Sequence, residues 1–369
     1  MEKITIGNNL SAARIDVGKG RETKINLIVG VNRDNKAEIE LEKKKIQAGA
    51  ELGVNTIIDL SIARIKEPLW KWGQEHYPKI AFGKVAPILV AVENNGDVTP
   101  EKLLQEIEWS VEAGVDYMTL NLIPIELIDL KITKGRSFPT TSRQGGVLLN
   151  HMMRHQVNNP YEAILDDILQ LFKKYNVTMH IGSTFRPISI TEAYDATHHW
   201  ELKKQLELFR KVDASGVQAI VEPMSHQPLK DIGPGIEGLR EQYGEYIPFQ
   251  MLGPITTELN LDSDQYAAAS GAAIAAMHNV GKITVIPPRE HVGFPSLQDT
   301  MEGIKAAIIS VHAGDLCRLP HLMEEDKKIT KQREKRKSCN SNSETKGCNK
   351  CGYLCPLLIE PNICHTECR

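Results

Sequence analysis

The chain has 369 residues, 41% of them hydrophobic and 25% charged, with a formal net charge of −3. That length suits one large core with a small appendage, and the charge balance offers no basic footprint for a nucleic-acid or anionic-membrane partner. No apolar run reaches the eighteen or more residues of a spanning helix, and the first residues, MEKITIGNNLSAARID, lack a cationic-then-apolar leader pattern, so a cytoplasmic protein is expected.

After an N-terminal segment, residues 1–23, apolar β-rich runs recur at 24–31, 55–60, 84–91, 116–121, 177–182, 217–222, 247–252 and 282–287. Helical patterns with apolar residues at three-to-four spacing separate them, at 36–52, 99–113, 147–155, 160–175, 190–214 and 296–316. Gly53, Gly114 and Gly216 stand where helices end and need positive φ, and Thr99-Pro100 is a hydroxyl cap followed by Pro at the first helical position. Continuous apolar strands alternating with helices mark a buried parallel sheet. Eight such units predict a (β/α)8 barrel over residues 24–323. The alternative, an open doubly wound sheet, would usually carry a Gly-rich phosphate turn after its first strand, where this chain reads VNRDNK.

Residues 324–347, EEDKKITKQREKRKSCNSNSETKG, are charged and then Ser/Asn-rich. The first half suits a solvated helix and the second a flexible tether. Residues 348–369 form a cysteine-rich tail: six of the seven cysteines lie in the last 31 residues. Cys348-x2-Cys351-x3-Cys355 can hold three irons of a 4Fe–4S cluster and leave the fourth open to a ligand. Cys348 and Cys351 could instead join Cys364 and Cys368 in a four-sulfur zinc site. Disulfides fit poorly, because Cys317 is the single cysteine in residues 1–338.

Barrel chemistry gathers in the loops after the strands, and polar residues recur there. They include Asp59-Leu60-Ser61, Asn121, Gly182-Ser183-Thr184-Phe185-Arg186-Pro187, Glu222 with His226, and Arg289-Glu290-His291. His226 and His291 are the best metal or acid–base candidates, since imidazole binds borderline divalent metals. Glu222 can serve as a base or bind a substrate hydroxyl, or else pair with a neighbouring arginine. Ser142-Arg143-Gln144-Gly145-Gly146, opening a helix, suits a phosphate. His151 and His155 stand one helical turn apart, a spacing that can bind metal, but no H-E-x-x-H motif surrounds them, so an ordinary surface helix is the expected reading.

In this order, Asp59-Leu60-Ser61, the Ser142–Gly146 turn, the Gly182–Pro187 loop, the Glu222–Pro228 loop, Leu252-Gly253-Pro254-Ile255-Thr256-Thr257 and Pro288-Arg289-Glu290-His291-Val292-Gly293-Phe294-Pro295 resemble motifs of the phosphomethylpyrimidine synthase (ThiC) family of radical S-adenosylmethionine enzymes. The resemblance implies a barrel with a C-terminal 4Fe–4S cluster. It also implies cleavage of S-adenosylmethionine to a 5′-deoxyadenosyl radical and rearrangement of aminoimidazole ribonucleotide. By the same resemblance Cys348, Cys351 and Cys355 ligate the cluster. His226 and His291 hold a divalent metal, zinc or iron. Asn121, Ser142, Arg143, Gly146, Arg186 and Glu222 contact the substrate. A homodimer and an external electron donor of flavodoxin or ferredoxin type are expected.

The chain departs from the family pattern in the pocket. The last cysteine gap is three rather than four, H-A-G after strand four reads Asn121-Leu122-Ile123, the acid of G-D-G-L-R-P is Ser183, a tyrosine becomes Leu89, and G-Y-D-H reads Asp262-Ser263-Asp264-Gln265. Sites built around particular polar partners discriminate strongly when those partners change. The expected function is therefore a lyase paralogue acting on aminoimidazole ribonucleotide or a close analogue, of the kind that makes the 5-hydroxybenzimidazole ligand base of a cobamide. Phosphomethylpyrimidine synthesis for thiamine and a non-catalytic zinc-binding relative are the alternatives.

Overall fold

Eight parallel strands carry the fold, as the apolar runs predict. A computed structural model describes residues 3–223, 225–243, 246–259, 262–339 and 350–358. The chain divides into two compact units, Met1–Arg318 and Leu319–Arg369. In the first unit β1 (Lys3–Ile6) and β2 (Ile15–Gly18) form an antiparallel hairpin. The parallel strands follow: β3 (Lys24–Val29), β4 (Thr56–Asp59), β5 (Ala81–Lys84), β6 (Tyr117–Leu120), β7 (Thr178–Ile181), β8 (Ala219–Val221), β9 (Gln250–Leu252) and β10 (Lys282–Thr284). They pair in the order β8-β7-β6-β5-β4-β3-β10-β9. A parallel bridge between Val221 and Phe249 joins the two outer strands, so the sheet closes on itself as a (β/α)8 barrel.

The helices of this unit are α1 (Lys36–Leu52), α2 (Leu69–His76), α3 (Pro87–Glu93), α4 (Pro100–Glu112), α5 (Arg143–His155), α6 (Leu165–Tyr175), α7 (Ala196–Ala214), α8 (Leu229–Tyr243), α9 (Asp264–Met277) and α10 (Leu297–Asp315). Local chemistry sets their ends. Asn35 and Thr99 cap α1 and α4 with side-chain oxygens, and Pro100 opens α4. Gly53, Gly114 and Gly216 all adopt positive φ, at 93°, 101° and 84°. The alanine-rich α9 was not among the expected helices. It is apolar on most sides, so it lacks the amphipathic stripe that marks a helix in sequence.

One expected strand is displaced. The run at 84–91 reads as a strand, but β5 ends at Lys84 and Pro87–Glu93 is the buried helix α3. A short run that is apolar from Val85 to Ala91 carries no period to distinguish the two states, and Pro87 fits the first position of a helix. The strand itself, Ala81-Phe82-Gly83-Lys84, is too brief and too mixed to stand out.

The barrel is filled and capped from below. Ile4, Ile6 and Val17 of the hairpin pack against Ile58, Ala81, Val85, Tyr117 and Ile220 inside the ring. Asn8 holds the hairpin beneath the strand starts, its backbone N–H donating to Asp116 at 2.9 Å. The open end is therefore the other one, where the strands stop. In the second unit α11 (Met323–Arg336) has no buried residue, and short 3-10 turns at Gly352–Leu354 and Pro356–Leu358 surround Cys355. The later part of the expected tether, 340–347, lies outside the described residues.

Candidate active site at the barrel mouth

A cavity of about 310 Å³ opens at the carboxyl ends of the strands. Its floor is polar. Asn26 of β3 accepts hydrogen bonds from the hydroxyls of Thr56 and Tyr117, both at 2.7 Å, and its amide donates to Thr284 at 3.1 Å. Asn26, Thr119, Gln250 and Thr284 face the cavity because alternate residues of a barrel strand point inward. Polar side chains inside apolar strands are the sequence sign of such a floor, and these four are not among the expected site residues.

Arg143, Arg186 and Glu222 meet in this cavity. The Arg186 guanidinium donates to Glu222 at 2.8 Å, and Gln250 approaches the other Glu222 oxygen at 3.4 Å. Glu222 is thus both a cavity-lining carboxylate and the partner of an arginine. Ser142 caps α5, its hydroxyl accepting from the Gly145 N–H at 3.2 Å. Gly145 is packed so closely that an added Cβ would lie 2.1 Å from the Thr184 carbonyl oxygen, whereas one on Gly146 would meet open space. The α5 start is thereby pressed against the loop after β7, with Arg143 turned to the cavity. Asn121 stands apart from this group: it is buried, and its amide donates to the Ser183 carbonyl at 2.7 Å. Asp59 is likewise turned inward, accepting the Ser61 N–H at 2.9 Å and the Trp70 N–H at 3.3 Å.

His226 and His291 come together across the mouth with ring centroids 5.9 Å apart. An ion bound at about 2.1 Å from each ring nitrogen places two imidazole centroids about 5–6 Å apart, so the pair fits a shared divalent ion. Two further observations match. Burial, together with the positive influence of His291 and Arg186, holds His226 below the usual imidazole range against the opposing pull of Glu258, which favours the neutral, ligating form. Among the described residues His226 Nδ1 is buried without a hydrogen-bond partner, 3.7 Å from a Glu258 carboxylate oxygen. The Nδ1 of His291 is engaged by buried Asp264 at 2.9 Å, which leaves Nε2 to a ligand.

Asp264, Glu258, Gln250 and Glu290 extend the expected residue set. Glu290 lines the cavity beside Arg143, and burial pushes its carboxyl up to about 7, against the pull of His291. It is a carboxyl poised to exchange a proton near neutrality. Asp264 is the aspartate retained from G-Y-D-H, a signal the sequence did carry.

Of the tail cysteines, Cys348 lies outside the described residues. Cys351 and Cys355 are free thiols on either side of one 3-10 turn, where the Leu354 N–H donates to the Cys351 carbonyl at 3.1 Å. Thiols so spaced suit thiolate ligation, and neither forms a disulfide with another described cysteine.

A closed (β/α)8 barrel with an arginine–carboxylate group and a paired-histidine centre at its mouth defines an enzyme-like site. Residues 3–343 match the Radical SAM ThiC family, and the chain belongs to that family. It is 32% identical over 315 residues to the phosphomethylpyrimidine synthase of Methanopyrus kandleri, covering 82% of this chain and 72% of that protein. It is 30% identical over 377 aligned positions to the phosphomethylpyrimidine synthase of Desulfotalea psychrophila, covering 95% and 86%. Among solved structures, dihydropteroate synthase from Anaplasma phagocytophilum is similar at 12% identity and a TM-score of 0.45, covering 78% of this chain and 99% of that one. The dihydropteroate synthase from Thermus thermophilus matches at 11% and 0.44, covering 83% and 99%. Those structural likenesses carry no weight for function.

Proposed function

We propose that this chain is a radical S-adenosylmethionine lyase acting on aminoimidazole ribonucleotide or a close analogue, and a paralogue of phosphomethylpyrimidine synthase rather than that enzyme itself. Family membership supports the reaction class. The observation that carries the substrate class is the mouth cavity, which unites a guanidinium at a helix start, an arginine–carboxylate pair and two facing imidazoles. In this reading Arg143 and the first turn of α5 take the phosphate, and the Arg186–Glu222 pair takes the ribose hydroxyls. Ser142 holds the α5 turn in place, and Gly146 leaves space beside it.

Cys348, Cys351 and Cys355 would hold a 4Fe–4S cluster. With S-adenosylmethionine it supplies the initiating radical, after reduction by an external flavodoxin- or ferredoxin-type donor. His226 and His291 would hold a divalent metal, zinc or iron, that anchors a polar group. The barrel walls exclude water from the reacting centre. Glu290 is placed to exchange a proton with bound substrate. The reading includes a homodimer in a reducing, cytoplasmic setting.

The paralogue assignment rests on the pocket's altered polar groups. The Ser183 hydroxyl donates to buried Glu201 at 2.8 Å, and Leu89 is packed into α3. At these two positions and at Asn121, polar groups of the reference pattern are replaced, and none of the three residues now present lines the mouth cavity, so a substrate there loses the hydrogen bonds those groups would offer.

The test is anaerobic reconstitution followed by incubation with dithionite, S-adenosylmethionine and aminoimidazole ribonucleotide. Expected are 5′-deoxyadenosine and a product whose mass matches hydroxybenzimidazole rather than the phosphorylated pyrimidine. Cys351→Ala should abolish 5′-deoxyadenosine, and His226→Ala should lower bound divalent metal without bleaching the cluster. A protein that takes up zinc and no iron, and leaves S-adenosylmethionine intact, sinks the proposal in favour of a metal-binding relative.

A further inference from the structure

We propose a second divalent-metal site on the flank of the barrel, formed by Asp97, His151 and His155. The cluster is separate from the mouth: none of the three lines the cavity there. His151 and His155 lie one turn apart on α5, so both imidazoles leave the same helix face, with ring centroids 4.7 Å apart. Asp97 comes from the loop between α3 and α4. One nitrogen from each histidine and one Asp97 oxygen all lie within 4.8 Å of one another. His155 Nε2 is 2.7 Å and His151 Nδ1 3.9 Å from the same oxygen, Oδ1. Ligands of one tetrahedral ion stand about 3–4 Å apart, so small side-chain adjustments gather this set around a centre.

The donor set is two imidazoles and a carboxylate, which suits a borderline ion of the zinc class and not calcium or magnesium. His151 is 5% exposed, and burial together with the neighbouring His155 holds it below the usual imidazole range, in the neutral form a metal requires. The His155 and Asp97 side chains are 40% and 34% exposed, which leaves a side open for entry and for a water as fourth ligand.

Two contacts compete. His151 Nδ1 accepts the Val98 N–H at 3.1 Å, and Arg154 stands 3.4 Å from Asp97 Oδ1. The ion must replace the first of these and the His155–Asp97 hydrogen bond. Arg154 keeps a separate anchor, donating to the Asn95 carbonyl at 3.1 Å, so it can stay in place when Asp97 turns to a metal. Occupancy would tie the α3–α4 loop to the helix whose first turn presents Arg143 to the mouth.

The test uses the full chain, its tail reconstituted anaerobically with iron, titrated with zinc against a chromophoric chelator. Wild type should bind one zinc more per chain than His155→Ala. Asp97→Asn, nearly the same shape, should weaken that zinc about tenfold or more. His226→Ala should lose a different equivalent, so that the His155→Ala/His226→Ala double variant loses two. Zinc should raise the melting temperature of wild type above that of His155→Ala, while the zinc-free proteins melt together and the iron content and turnover of His155→Ala match wild type. Superimposable isotherms for wild type, His155→Ala and Asp97→Asn overturn the proposal.

Discussion

Lys282 is the least expected single residue. It is fully buried in β10, its amine has no hydrogen-bond partner among the described residues, and it stands 4.1 Å from the centre of the Tyr117 ring. A charged ammonium would gain from that ring face, but burial drives the amine well below its ordinary range, against the opposing pull of Glu222. We take the neutral form, because losing hydration costs a charge more than one aromatic face returns. An unsatisfied polar atom of this kind is destabilising, so Lys282→Met should raise unfolding stability by about 1–3 kcal/mol, read from urea midpoints. An unchanged or lower midpoint would show that the amine has a partner. His198 makes a second prediction. Its Nδ1 accepts the Tyr194 N–H at 3.0 Å and its Nε2 donates to the Pro223 carbonyl at 3.1 Å, and burial lowers it to about 4. The folded state thus binds this proton more weakly than the unfolded chain does. The contribution is fully present above about pH 6.5 and is lost as pH falls toward 4. At pH 5 the loss relative to pH 7.5 is about 2 kcal/mol, and His198→Asn should remove that part of the slope.

At the scale of elements, α5 and its junction with the β7 loop decide how the mouth is built. Gly145 lets the helix start lie against the Thr184 carbonyl, and Ser142 caps the same turn. Gly145→Ala should cost about 1–3 kcal/mol and lower turnover, because the displaced turn carries Arg143 away from Arg186. Gly146→Ala, facing open space, should leave stability within about 0.5 kcal/mol and act as the control. Equal effects from the two substitutions would refute the packing argument. Helices with a clear amphipathic stripe and caps were legible: the bounds of α1 match the expected 36–52. The run at 84–91 was not, because a buried strand and a buried short helix share the same unbroken apolar pattern.

For the whole molecule, the cysteine segment and the barrel fall in different compact units. The helix at the start of the second unit buries nothing, so it adds little to cohesion. A chain ending at Leu322, before that helix, should melt within about 3 °C of the full protein, since each lost kcal/mol moves the midpoint of so large a domain by only a few degrees. The same chain should take up no iron. A large drop in melting temperature would mean that the tail supports the barrel. No described helix is long and apolar enough to cross a membrane.

By itself the amino-acid order determined the eight-unit barrel, the positive-φ helix ends and the family, because each is written in local pattern: period, cap and short motif. It also marked Arg186, Glu222, His226 and His291 as residues that follow strands, and Arg143 as one that opens a helix. Only the tertiary structure decided which of them meet. Closure of the ring brings His226 and His291 within one ion's reach across 65 residues of chain, and seats Asp264 behind the second ring. It also turns Asn121 toward the Ser183 backbone, away from the mouth group, and sinks Lys282 and His180 beneath the cavity floor. Burial and distance between remote segments are properties of the closed barrel, and no window of sequence contains them.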